Sequence, residues 1–505
     1  MLRLIYDQKS ATCNHTMEKG GQPHMRITLV THFFPPGHLG GTEVLTMSLA
    51  KSLQAAGHTV QVICAEDWET APGHTIDAVD DVFQEIRVRR LRFNWMKAPD
   101  VFTYLYNNPE VERYLTAFLR HFRPDVVHIT SCYSLSASVI SAASALGLPI
   151  VLTATDFWFL CARNTLLQPD GSLCSGPTDA WKCTRCMTSH AKIYRWPSKI
   201  LPEPTVAALM RTIGHYPLLT RQPGLRGMVG DWDRRQAFLL QSLARVDRIV
   251  TASRFLRDLF IRYGVAAERI DFSAYGLDTV WARGFETKTP SDHLRIGFIG
   301  QIIPFKGPDI LLRAVQSLAP DLPVSVVIYG DLEKDAEYGR QLREMAAHDP
   351  RICFAGTFEN SRMGEVLTAI DVLAVPSTWY DFPLVVSSAL ATKTPVLATD
   401  LPGMNELVDH ERNGLLFARH DSAGLAALIQ RLVDDPTLLS RLREAIEPVK
   451  TVDEMRSEYE AMYASLVAPE DDRAGDRSTA PSERVAGSST PTRRPEPTAQ
   501  QFRVD

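Results

Sequence analysis

Two separate stretches of this 505-residue chain open on the same pattern, an apolar run that turns through glycine into a helical repeat. The first is "MRITLVTHFF" from Met25, then "PPGHLGGTEV", then the amphipathic "VLTMSLAKSLQAAGH" ending at Gly57. The second is "LRIGFIGQ", Leu294 to Gln301, again followed by a glycine-containing loop and a helix-length segment. A strand that passes through a helix into the next strand is a βαβ unit, and such a unit joins parallel neighbours. The first series continues through "TVQVICA", "DVVHIT", "PIVLTAT", "RIVTAS" and "ERIDFSAYGLD", and the second through "VSVVIYGD", "RICFAGT", "DVLAVPST" and "TPVLATD". The expected fold class is α/β, with two Rossmann-like, doubly wound domains. Sheets of this kind bind ligands outside the C-terminal ends of their strands, so two in tandem would face each other across a cleft.

This divides the chain into an N-terminal extension (1–24), a first domain (25–290) with an insertion at about 157–235, a second domain (291–468) closed by the helical "TVDEMRSEYEAMYASLVA", and a tail (469–505). Met25 is a second candidate start. The tail, rich in Pro, Ser, Thr and charge, cannot bury a core and is expected to be disordered. A net charge of −5 offers no basic excess for nucleic acid. No apolar run reaches the ~18 residues of a spanning helix, and the N-terminus lacks a charged-then-apolar leader pattern. Eight cysteines are too few for a secreted disulfide scaffold, so a cytoplasmic location is expected.

Several loops carry residues suited to chemistry. In "FIGQIIPFKGPDILLRAV", Lys306 and Gly307 precede a helix, where free N–H groups, the helix dipole and a full charge together favour an anion. An ordinary surface lysine in a βα loop fits the same residues. Gly40 and Gly41 in "GHLGGTEV" would let backbone approach a phosphate or sugar, or simply serve a turn needing positive φ. Pro402 and Gly403 form a similar turn, with Glu406 either at the ligand or capping the next helix. "PSTWYDFPLVVSSALATKTPV" places Asp381 and Ser388 two helical turns apart, on one side of a buried helix. Neither a P-loop nor a G-x-G-x-x-G is present.

Cys161, Cys174, Cys183 and Cys186 have the spacing C-x12-C-x8-C-x2-C, with His190 beyond; a structural zinc or reduced packing cysteines both fit. "DWD", Asp231 to Asp233, reads as solvated surface. Between Met187 and Arg235, eight Lys or Arg residues and three acids are interleaved with Tyr194, Trp196, Tyr216 and Trp232. That mixture suits a peripheral contact at the inner face of the plasma membrane, a phosphorylated lipid acceptor, or a solvated insertion.

Together, "LGGTE", "FIGQIIPFKG", "PSTWYDFPLVVSSALATKTPV" and "DLPGMNELVDHERNGLLF" resemble the family 4 retaining glycosyltransferases (glycosyl transferases group 1) of GT-B fold. "TDFWFLCARNTLL" with the later cysteines resembles a cysteine-bearing branch of that family. The resemblance implies a hexosyl-type enzyme that transfers a sugar from a nucleotide-diphosphate sugar to a glycan, lipid-linked or polysaccharide acceptor, with retention and without a required metal. It implies Lys306, Asp381 and Asp156 as catalytic residues. Gly40, Gly41, Gly300, Gln301, Lys306, Asp381, Phe382, Pro383, Leu384, Ser388, Gly403 and Glu406 are implied at the donor. Asp381 stands near the first position of the family's E-x7-E element and Ser388 at the second; the family's arginine before the lysine is Gln301 here, and the histidine of its "HD" pair is Thr155. These departures motivate a second reading, a catalytically weakened binding or scaffold subunit. A sugar-nucleotide epimerase of the same fold would need acid–base residues that do not stand out.

Overall fold

Val, Ile and Leu fill the predicted strands almost without interruption, the pattern of parallel strands covered on both faces. The computed structural model describes residues 24–66, 70–177, 180–188, 232–379 and 382–468, with a few isolated positions between 202 and 212. Residues 1–23, the tail, Asp381, His190, Asp231 and most of the basic, aromatic stretch lie outside the described residues.

The first sheet contains β1 (Arg26–Val30), β2 (Thr59–Glu66), β3 (Asp77–Phe83), β4 (Ile86–Arg92), β5 (Val126–Ile129), β6 (Ile150–Ala154), β7 (Arg248–Thr251) and β8 (Ile270–Phe272). Their order is β3-β4-β2-β1-β5-β6-β7-β8, parallel except for β3. The β3–β4 hairpin corrects the expected strand list. Its segment, "DAVDDVFQEIRVRRLR", is so charged that it reads as loop, yet the charges pair across the hairpin, Arg89 with Asp80 and Arg90 with Asp81. Charge of this kind also protects an exposed sheet edge from pairing with other chains. Arg90 is buried and donates onward to the Phe34 and Pro35 carbonyls, so the hairpin holds the loop that follows β1.

The second sheet contains β9 (Leu294–Ile299), β10 (Val324–Tyr329), β11 (Ile352–Gly356), β12 (Val372–Val375), β13 (Val396–Thr399) and β14 (Gly414–Phe417). All pairs are parallel and the order is β11-β10-β9-β12-β13-β14. Counted from its own first strand this is 3-2-1-4-5-6, the dinucleotide-binding order. β14 is a sixth strand beyond the five expected, and it hides in the short "NGLLF". A Cβ at Gly414 would lie 2.3 Å from the Val396 carbonyl, so close pairing there needs glycine.

The terminal helix Val452–Val467 does not close the second domain. Its Met455, Tyr459 and Tyr463 enter the first domain's core beside Leu45, Leu49 and Leu53 of helix Gly41–Ala55. Polar ties fix the register: Glu460 meets His58 at 3.0 Å, Ser52 donates to Asp453 at 2.6 Å, and Tyr459 and Thr153 hydroxyls meet at 2.8 Å. The chain therefore crosses between the sheets twice, and the crossings run side by side. Leu277 N donates to Lys450 O and Val452 N to Leu277 O, both at 2.9 Å. The described residues up to Leu466 form one compact unit.

His128 of β5 sits beneath that helix, fully buried, between the Thr153 hydroxyl at 2.8 Å and Tyr463. Burial pulls its pKa down to about 3. The unfolded imidazole titrates near 6.5, so the folded protein binds fewer protons below that pH. The stability is present above about pH 6.5 and is lost as pH falls towards 3, with a slope approaching about 1.4 kcal/mol per pH unit. Unfolding midpoints of the unaltered chain and His128→Gln, followed from pH 7 to 4, check this. The variant is expected to show the shallower acid loss.

Candidate functional site

In the second sheet the strand order reverses between β9 and β12, and the loops leaving those two strands pack together. The β9 loop runs from Gly300 through the short turn Pro304–Lys306 to Gly307, which starts helix Pro308–Gln316. The β12 loop runs from Pro376 to Pro383, which caps helix Leu384–Ala391. Thr378 N donates to Phe305 O at 2.9 Å and Ser377 Oγ to the same oxygen at 3.1 Å. Gly307 has φ +69°, and a Cβ there would lie 2.1 Å from Pro376 O. The contact thus requires glycine, and it sets Lys306 at the junction. Lys306 Nζ stands over the Trp379 ring, 5.3 Å from its centroid. Gln301 is exposed, and a Cβ at Gly300 would meet only the Phe298 ring.

The first sheet reverses between β1 and β5, and a polar cluster occupies the ends of β1, β5 and β6. Glu43 is the third residue after Gly40, the spacing of a capping box. Its Oε2 accepts from Gly40 N at 3.0 Å, and its Oε1 lies 3.1 Å from His32 Nε2. Burial pushes the Glu43 carboxyl up, but His32 and the Glu43 and Gly40 amides outweigh it and hold it below its usual range. Gly40 is extended, with φ −116°, so the expected demand for positive φ is absent at that position. Thr42 Oγ1 meets Thr155 Oγ1 at 3.1 Å, which ties this helix start to Asp156. Asp156 Oδ1 accepts from Trp158 N at 2.9 Å, while Oδ2 lies 3.4 Å from both Ser131 Oγ and Asn164 Nδ2. Burial raises the Asp156 carboxyl above its usual range despite those partners and the nearby His32. His32 Nδ1 and Asn164 Oδ1 are buried with no hydrogen-bond partner among the described residues.

The two groups approach through Phe157, next in sequence to Asp156, whose ring is 6.3 Å from that of Trp379. Phe382 stacks edge-on to Tyr275 at 5.3 Å, and Leu384 packs on the first domain's core. Two residues expected at the donor are otherwise engaged. Glu406 accepts from Arg254 N at 2.6 Å and Phe255 N at 3.0 Å, so it caps the first-domain helix Arg254–Arg262; Gly403, at φ +86°, makes the turn that delivers it. Ser388 is buried and donates to Leu384 O at 3.1 Å, one turn back in its own helix.

The four clustered cysteines are free thiols that border a cavity of about 30 Å³. Burial first, then the neighbouring sulfurs, pushes Cys183 up to about 12. Among the described residues no three His, Cys, Asp or Glu side chains stand in a metal-holding arrangement. Asp233 of the "DWD" is exposed in the first turn of helix Trp232–Leu243, while Trp232 is buried. No helix among the described residues is long and apolar enough to cross a membrane.

Sequence reasoning passed over His32, Glu43, Asn164 and Trp379. A signal existed for the first pair, since His32 lies two residues beyond β1 and Glu43 completes the capping-box spacing. Asn164 is brought to Asp156 by tertiary folding alone.

Residues 293–435 match the family model described as glycosyl transferases group 1, and residues 40–201 match the glycosyl transferase 4-like domain. A D-inositol 3-phosphate glycosyltransferase of Pseudarthrobacter chlorophenolicus is 31% identical over 199 residues, 37% of this chain and 47% of the relative. That of Stackebrandtia nassauensis is 38% identical over 164 residues, 30% of this chain and 37% of the relative. The matched part thus spans about half or less of these curated relatives. Among solved structures, HepE of Anabaena in complex with UDP and glucose superposes with TM-score 0.54 at 17% identity, over 90% of this chain and 100% of that one. Sucrose-phosphate synthase of Thermosynechococcus elongatus gives 0.61 at 16%, over 88% and 99%. At such identity the structures speak for the GT-B fold alone. With a family match on each sheet and that fold between them, the chain belongs to the group 1 glycosyl transferases.

Proposed function

We propose that the protein transfers a sugar from a nucleotide-diphosphate sugar to an acceptor hydroxyl, with retention of anomeric configuration. The observation that carries the reading is Lys306, set at the reversal point of a 3-2-1-4-5-6 sheet opposite the polar cluster of the first domain. The diphosphate would lie at the start of helix Pro308–Gln316, where the dipole and the Lys306 ammonium offset the charge that grows on the departing phosphate. The departing phosphate takes the acceptor's proton on the face it leaves, so no protein nucleophile is needed. His32 Nδ1 and Asn164 Oδ1, buried and unsatisfied, suit the hydroxyls of a polyol or sugar acceptor. Glycan, lipid-linked and inositol-phosphate acceptors are the proposed class, the last because of the relatives' name. A lipid-linked acceptor would bring the protein to the membrane surface.

A donor-binding subunit without turnover is the second reading, favoured by Ser388, whose hydroxyl is engaged within its helix. One experiment separates the two. UDP-, GDP- and ADP-linked sugars are incubated with the protein and either inositol 3-phosphate or a bacterial lipid extract. Acceptor-dependent release of nucleoside diphosphate, and a product with the donor's anomeric coupling by NMR, are the expected results. Donor binding without release would favour the subunit reading.

A further inference from the structure

Trp379 of the β12 loop touches both domains. One ring face carries the Lys306 ammonium, 5.3 Å from the centroid, and Phe305 of the same loop lies edge-on at 5.3 Å. On the first-domain side, Phe157 lies edge-on at 6.3 Å and the indole N–H donates to Thr165 O. A neighbouring tie runs parallel to it. Arg419 donates from Nε to Thr378 O at 2.7 Å and from Nη2 to Gly171 O. Two donors of the second domain therefore reach backbone carbonyls of the 165–171 segment, which the Leu167–Leu173 bridge folds back on itself.

We propose that Trp379 is a positioning residue that couples docking of the 165–171 segment to placement of the Lys306 ammonium at the donor diphosphate. The inference rests on the donor-site reading above. A cation held on an aromatic face keeps its charge while losing freedom to swing into solvent. The indole N–H bond fixes the ring that sets this position. When the first domain withdraws, the ring loses Phe157 and Thr165, and the aromatic face under Lys306 is no longer held in place. Assembly of the phosphate site is thereby tied to domain closure, which restrains donor hydrolysis in the open state.

A double-mutant cycle on the full chain tests this. Calorimetry first measures UDP, GDP and ADP binding to the unaltered protein. The tightest binder and its nucleoside are then measured with Trp379→Leu, Lys306→Ala, the double variant and Trp379→Phe. Trp379→Leu should weaken the diphosphate roughly three- to tenfold and leave nucleoside affinity unchanged. It should cause no further loss in the Lys306→Ala background. Trp379→Phe keeps a ring face but not the bond to Thr165, so diphosphate affinity and donor KM should recover in part while kcat falls. Losses that add in the double variant, an equal loss for the nucleoside, or failure of Phe to recover affinity would each overturn the proposal. Absence of binding by all three nucleotides to the unaltered protein would instead overturn the donor-site reading, and this inference with it.

Discussion

Lys306→Ala should lower sugar transfer by about 10²–10³-fold, the loss expected when one preorganised charge at a developing anion is removed, about 3–4 kcal/mol. Within the second-domain loops, Lys306 is the cation that the Gly307–Pro376 contact brings to the strand-order reversal. Its side chain is only half-buried, so the unfolding midpoint of the variant without nucleotide should stay near that of the unaltered chain. Initial rates of nucleoside diphosphate release measure the effect. Lys306→Arg should recover part of the rate, because a guanidinium supplies charge but not the same compact geometry. A rate for Lys306→Ala within about twofold of the unaltered chain would remove Lys306 from the mechanism.

Gly307→Ala should be the most damaging small substitution in the second domain. At φ +69° a non-glycine residue costs about 1–2 kcal/mol. The added methyl would also stand 2.1 Å from Pro376 O, a backbone atom that cannot swing aside. Separating the loops breaks the bonds that Thr378 and Ser377 make to Phe305 O, so the combined cost should reach at least ~3 kcal/mol. Gly300→Ala is the matched control, since its methyl would meet only the Phe298 ring at 3.8 Å. Thermal unfolding should therefore show a loss of about 3 °C or more for the first variant and little change for the second. The Gly307 variant should also bind nucleotide diphosphates poorly, because its two loops no longer meet.

The residues themselves explain how much of this was legible in advance. Apolar runs such as "TVQVICA" and "LRIGFIGQ" can be satisfied only by burial on both faces, so the two parallel sheets followed from them directly. The β3–β4 hairpin was hidden because its side chains are stabilised by cross-strand ion pairs, which leave no apolar period. The terminal helix went to the wrong domain because an amphipathic pattern says that a face is buried without naming its partner. Here Tyr459 and Tyr463 find Thr153 and His128 more than 300 positions away in sequence. The Lys306 loop was legible because a strand, a glycine and a lysine before a helix form a local pattern. What the oxygens of Glu406 and Ser388 bind in this structure was not legible, since it depends on a neighbouring helix end and on the helix's own carbonyl. Asp381, the remaining expected catalytic residue, lies outside the described residues.

The central claim is a nucleotide-diphosphate site at the β9–β12 reversal. It is tested most directly by thermal unfolding of the full chain with UDP, GDP and ADP, beside Lys306→Ala. At about a hundred times its dissociation constant, the cognate nucleotide should stabilise the protein by roughly 2.7 kcal/mol. A rise in midpoint with one of the three, much reduced in Lys306→Ala, is the predicted result. No rise with any of them, or an equal rise in the variant, would contradict it.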